Sequence, residues 1–163
     1  MAKENVKKEI IDLLNHVLCA ELTAIDQYFL HAKLRFHWGY TILAQAAHAQ
    51  SIGEMKHAES ISGRILFLDG MPNMQKLGKV LVGENVFEQM ELDRKLESDA
   101  IERLNAGIAL CSKYHDNGCR VLLETILASE EEHLDWLDQQ IQLMKSLGEA
   151  NYLAQKISAD APA

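Results

Sequence analysis

The chain has 163 residues, enough for one domain that buries a sizeable core without disulfide staples. Hydrophobic residues make up 48% and charged residues 25%, an ordinary globular balance, while a formal net charge of −8 disfavours non-specific binding to nucleic acid. The N-terminal MAKENVKKEII holds no apolar signal core and no apolar run reaches membrane-spanning length, so a cytoplasmic protein with no membrane or nucleic-acid partner is expected.

With only 2 prolines and 9 glycines, long helices meet few interruptions. Helical periodicity and good helix formers predict helices over residues 5–36, 40–68, 84–112 and 117–146. At about 1.5 Å per residue each is roughly 40–50 Å long, the length of bundle helices. His37-Trp38-Gly39 is a short turn, and so is the stretch from His115 to Gly118; the helices flanking each should be antiparallel neighbours. The segment 69–83 is longer and holds Pro72, so it can run the length of a bundle and leave the second and third helices parallel. A short fifth helix is expected over 149–157, followed by a disordered tail at 158–163. The chain as a whole, 1–163, reads as a single all-α domain: an up-down four-helix bundle with one long crossover and a short C-terminal helix.

Four glutamates occupy positions where a bundle should be oily. Glu21 shares its helical face with Leu14, Val17, Leu18, Ala24, Ile25 and Tyr28. Glu97 has Met90, Ala100, Ile101 and Leu104 around it, and Glu130 has Leu123, Ile126, Leu127, Leu134 and Leu137. Glu54 has Ala47, Ala58 and Ile61, with Gln50 and Ser51 as more polar neighbours. Buried carboxylates are expensive unless paired or metal-bound, and only Arg94, near Glu97, is a candidate cation on these stripes. Two of the four begin a Glu-x-x-His pair, Glu54 with His57 and Glu130 with His133, and i,i+3 residues share a helical face.

A lone Glu plus Glu-x-x-His from each helix pair is the known signature of ferritin-like di-metal bundles, matched here rather than deduced. The motif alone is weak: 15 Glu and 7 His give roughly 0.6 chance occurrences. The interval strengthens it, because Glu54 follows Glu21 by 33 residues and Glu130 follows Glu97 by the same 33. Two similar hairpins would then bring all six side chains to mid-bundle. Four surface glutamates on amphipathic helices is the competing reading, and the doubled interval weighs against it. Oxygen and imidazole donors without thiolates suit iron or manganese better than structural zinc. Four carboxylates and two neutral imidazoles balance two divalent ions, and metal binding should release protons that the empty cluster holds. Glu54 and Glu130 are expected to bridge the ions, with Glu21 and His57 completing one site and Glu97 and His133 the other. Tyr28 is a candidate hydrogen-bond donor behind them, or equally a core tyrosine with a satisfied hydroxyl.

Over nearly its whole length the sequence resembles the bacterioferritins. The stretches ELTAIDQYFLHA (21–32), EMKHAE (54–59), RILFLDGMPN (64–73), SEEEHLDWL (129–137) and NYL (151–153) carry the resemblance in family order and spacing. It implies iron storage and detoxification in a hollow shell of about 24 subunits, each with a ferroxidase centre that oxidises Fe(II) with O2 or peroxide. It also implies haem b shared between two subunits, with Met55 matching the axial ligand and Leu22, Ile25, Phe29 and Ile52 as candidate apolar walls. A ferredoxin-like reductant for iron release follows from the same resemblance, and so does the chance of a mixed shell with a second subunit type. Ala49, Gln50 and Gly53 stand where the family often has a histidine and acidic residues, which leaves open whether the usual inner-surface iron site exists; Glu132 adds a carboxylate where a small residue is common. The rival reading is another di-iron or dimanganese enzyme, a rubrerythrin-like peroxidase or a catalase; the rubredoxin-type C-x-x-C pair is absent.

His16, His31, His37, His48 and His115 lack a partner at ligand spacing and read as surface or interface residues, with His48 a candidate neighbour of the haem. Trp38 and Trp136 should pack at helix ends or between subunits. Cys19, Cys111 and Cys119 are odd in number and read as buried or idle thiols.

Overall fold

The structure is a computed structural model and describes residues 2–157. Its elements are α1 (Ala2–His37), α2 (Thr41–Phe67), α3 (Val86–Lys113), α4 (Asn117–Leu147) and the short α5 (Glu149–Ala154), with no strand among the described residues. The tail expected at 158–163 lies outside the described residues. Expected and observed helices coincide but for their ends. α3 starts at Val86 rather than 84 because the Asn85 side chain accepts the Glu88 N–H at 2.8 Å, while the Glu84 N–H donates to Glu88 Oε2 at 2.7 Å. Asp116 caps α4 in the same way, accepting the Cys119 N–H at 2.9 Å. α5 stops at Ala154, three residues short of the expected end.

The connections decide the topology. Gly39, at φ +91°, closes the tight turn between α1 and α2, which pack as an antiparallel hairpin; α3 and α4 form the second. Across the hairpins, Tyr28 bonds Glu97, His31 bonds Asp93 and Arg35 bonds Gln89. Rising numbers on α1 meet falling numbers on α3, so these two are antiparallel and α2 and α3 run parallel. The segment between α2 and α3 is the long crossover, and the bundle is ferritin-like. α5 packs back on α4.

Two apolar clusters fill the ends of the bundle. One joins Ile10, Leu14, Leu18, Ile61, Leu104 and Leu123; the other joins Leu43, Val86, Met90, Leu137, Ile141 and Tyr152. Along each long helix the four glutamates fall between these clusters. No helix among the described residues is long and apolar enough to cross a membrane.

The crossover is fastened by one face of α1. Thr23 Oγ1 accepts the Gly78 N–H at 2.8 Å, Gln27 Oε1 accepts the Leu81 N–H at 3.2 Å, and His31 Nε2 accepts the Gly83 N–H at 3.3 Å. These three are spaced four apart, one helical turn each. Gly83 must be glycine, since a Cβ there would stand 2.5 Å from the Gln89 nitrogen. Behind this ladder Asp93 is fully buried and accepts three bonds: Gln27 Nε2 at 3.0 Å, His31 Nδ1 at 2.8 Å and Arg35 Nη2 at 2.9 Å. His31 is therefore not a surface or interface residue. It accepts at Nε2, carries its proton on Nδ1, and joins crossover to α3. Replacing Asp93 by Asn strands the buried Arg35 guanidinium, so Asp93→Asn is expected to cost about 3–5 kcal/mol in urea-unfolding experiments.

Candidate metal centre

Amphipathic helices normally aim acids outward, yet Glu21, Glu54, Glu97 and Glu130 are each at most 3% exposed. All four line one cavity of about 260 Å³ that lies between α1 and α3 beneath Gly78, Lys79 and Leu81 of the crossover. Ligand atoms of Glu21, Glu54, His57 and Glu130 all lie within 4.8 Å of one another. His57 Nδ1 stands 3.3 Å from Glu21 Oε2, 3.2 Å from Glu54 Oε2 and 3.0 Å from Glu130 Oε1. Glu97 and His133 form a second pair at 2.7 Å through Nδ1, with the Tyr28 hydroxyl donating to the same Glu97 oxygen. The six residues singled out by spacing thus sit in one layer, divided as Glu21 with His57 and Glu97 with His133, while Glu54 and Glu130 come from the two Glu-x-x-His pairs.

The protons of the cluster follow from burial. Burial raises Glu21 to about 8, against the pull of the His57 hydrogen bond and with the Glu54 charge adding to the rise. Glu97 and Glu130 are likewise pushed up to about 8, first by burial. Glu54 differs: burial raises it, but hydrogen bonds from His57, Glu21 and Gln50 leave it below its ordinary value. For His57, burial acts downward and is outweighed by the close carboxyls of Glu130, Glu21 and Glu54, which raise it to about 12. His133 is lowered by burial. Without metal the cluster therefore favours the protonated forms of Glu21, Glu97 and Glu130 and of His57, with Glu54 the carboxyl most readily ionised.

The donor set fits divalent cations. Glu97 Oε2 and both Glu130 oxygens are buried with no hydrogen-bond partner; the His57 contact to Glu130 Oε1 is close but not aligned as a hydrogen bond. Buried polar atoms are rarely left unpaired, so these oxygens are open to a ligand. Carboxylate oxygen with imidazole, and no thiol among the grouped ligand atoms, is hard-donor chemistry suited to iron or manganese.

Other expected residues are placed as follows. Met55, Ile52 and Phe29 are exposed, Met55 at 43%, and the Ser51 hydroxyl bond to the Ile25 carbonyl sets this part of α2 against α1. Leu22 and Ile25 are half-buried and pack against the apolar cluster of Ile10, Leu14 and Leu18. Arg94 pairs with Asp138 at the surface and not with Glu97. Glu132 is exposed, as is His48, which lines a shallow cleft with Lys33 and Phe36. Trp136 stacks on His133 with ring centroids 5.8 Å apart and 19° between planes. Cys111 and Cys119 are buried and Cys19 half-buried, all free. Sequence reasoning missed the Gln27–His31–Asp93–Arg35 group, although its fourfold spacing on α1 was visible.

A four-helix bundle with one crossover and a mid-bundle layer of Glu and Glu-x-x-His side chains defines the ferritin-like class. A family model described as a ferritin-like domain matches residues 11–147. Bacterioferritin BfrA of Mycobacterium tuberculosis is 49% identical over 150 residues, covering 92% of this chain and 94% of that protein. A bacterioferritin of Streptomyces coelicolor is 49% identical over 154 residues, 94% and 92% of the two chains. Among solved structures, Mycobacterium tuberculosis BfrA superposes with a TM-score of 0.91 over 92% of this chain and 94% of that one. The chain belongs to the bacterioferritins within the ferritin-like family.

The raised carboxyls give the metal-free protein a definite pH response. A carboxyl that holds its proton more tightly folded than unfolded stabilises the fold below its ordinary value of 4.5 and loses that contribution as pH climbs through 8. The raised His57 acts in the same direction above its ordinary 6.5. The metal-free Tm is expected to fall steadily from pH 5 to pH 8, and saturating Co(II) should flatten the trend, as scanning calorimetry can check.

Proposed function

We propose that the chain is a ferroxidase subunit of an iron-storing shell and that its six mid-bundle side chains hold two Fe(II) ions as substrate. The observation that carries this reading is the layer of four buried glutamates and two histidines, three of whose carboxylate oxygens have no partner. Glu21 and His57 serve one ion, Glu97 and His133 the other, and Glu54 and Glu130 bridge. Two adjacent Fe(II) supply two electrons, which pass to O2 or peroxide.

The chain's own residues prepare that step. The three neutral acids and the His57 imidazolium must give up protons for the cations to be bound, so loading exchanges positive charge for positive charge in a site that stays near neutrality. Tyr28 donates to Glu97 and holds it toward the layer. The Trp136 ring lies against His133 and restricts the turning of the imidazole. The apolar clusters on either side keep bulk water from competing with the donors. Glu21→Ala and His133→Ala are each expected to slow aerobic Fe(II) oxidation by on the order of a hundredfold, read from the growth of ferric absorbance.

Oxidised iron is stored in a hollow homo-oligomer of about 24 subunits, and the chain has the ligands to serve alone or beside a second subunit type. The exposed, apolar α1–α2 seam supports the haem reading. Met55 stands out of the bundle where a copy from a neighbouring subunit can meet it, and its thioether would be a suitable iron ligand for a haem held there. Phe29 and Ile52 offer apolar wall beside it, with Leu22 and Ile25 beneath. These residues of two neighbouring subunits would hold a shared haem b, which would supply one-electron redox chemistry, and a ferredoxin-like reductant in the cytoplasm would serve iron release. Met55→Leu is expected to abolish the Soret absorption of the assembled protein purified from haem-replete cells.

A further inference from the structure

Gln50 is the polar residue that the metal centre's six ligands leave unexplained. It is half-buried on α2, one helical turn before Glu54, and its flanks offer nothing that does the same work: Ala49 is exposed, and a Cβ built at Gly53 would meet no atom within 4 Å. Its Nε2 donates to Glu54 Oε1 at 2.8 Å, while His57 Nδ1 lies 3.2 Å from the other oxygen, Oε2. Glu54 is 1% exposed, so neither contact faces bulk solvent.

We propose that Gln50 is a positioning residue for the metal centre: its carboxamide holds the Glu54 carboxylate in the orientation from which it can bridge two divalent cations. This rests on the metal-centre reading above. A carboxylate oxygen has two lone pairs, so one bond from Gln50 leaves Oε1 free to meet a cation. The His57 contact is given up when the imidazole itself turns to a metal, whereas the Gln50 bond need not be. The amide also adds no charge. Four carboxylates already balance two divalent ions, and a carboxylate at position 50, within hydrogen-bond range of Glu54, would bring a fifth negative group to the layer. A neutral donor fixes Glu54 without enlarging the ligand set.

The test uses the assembled, metal-free, full-length protein titrated anaerobically with Co(II), whose visible d–d bands report coordination. Gln50→Met keeps the length of the side chain and removes the donor. A hydrogen bond to a charged group is worth about a tenfold change in affinity or more, so Q50M is expected to weaken Co(II) binding about tenfold and to alter the d–d spectrum, with assembly mass unchanged. If the Q50M isotherm and spectrum superpose on those of the wild type, the proposal is overturned, even where the metal-free Tm has dropped, since that is what a merely structural side chain would do. Gln50→Leu takes its place, with the same criteria, should Q50M not assemble. Glu54→Ala separates the two layers of argument. Loss of Co(II) binding in E54A with Q50M unchanged sinks the role of Gln50 alone; wild-type binding in E54A sinks the metal centre with it.

Discussion

Charge neutrality in a dry interior governs this molecule. Four carboxylates cannot share a space between two apolar clusters unless something cancels their charge, because an isolated ion in such surroundings costs far more than a folded domain can offset. Two fillings meet the condition. Without metal, protons do it, with Glu21, Glu97 and Glu130 raised to about 8 and Glu54 ionised beside His57. In the proposed metal-bound state two divalent ions do it, with the same side chains deprotonated, and that exchange of protons for cations is what would make the layer a site and not merely a defect.

A second buried polar layer shows the contrast. Asp93 is as deeply buried as any of the glutamates, yet its carboxylate accepts bonds from Gln27, His31 and Arg35 and faces a permanent guanidinium. Both oxygens of Asp93 and both ring nitrogens of His31 have partners, so the group acts as a fastening. Glu97, one helical turn further along α3, has an oxygen with none. Hydrogen-bond accounting therefore separates a structural polar cluster from one prepared for a ligand, even though both are made of acids and histidines in the same bundle.

The fastening also bears on the site. Through Thr23, Gln27 and His31 the crossover is held against α1, and its residues Gly78, Lys79 and Leu81 roof the cavity whose floor is the four glutamates. The connection that makes α2 and α3 parallel is thus also the cover of the proposed iron centre. On the opposite seam, α1 and α2 leave Phe29, Ile52 and Met55 uncovered, an apolar surface of the kind that a shell of copies would bury.

The amino-acid sequence by itself determined the helices, the two short turns, the long crossover, and the six side chains whose acids are out of place on oily stripes. Those features are legible because helical period and residue chemistry are local: Glu21 and Glu54 can be placed on core faces from their neighbours three and four residues away. The ends of α3 and α5 moved by a few residues, since capping by Asn85 depends on side-chain geometry more than on pattern. The tertiary structure alone decided which residues meet across helices. His57 lies among three glutamates, His31 turned inward to Asp93, and Arg94 went to Asp138 and left Glu97 to His133. Apart from Glu54, three residues before His57, these partners are 36 to 73 positions apart. Their meeting depends on how far each helix is rotated about its axis in the packed bundle, a quantity set by the fit of all the side chains together and by no single stretch of sequence.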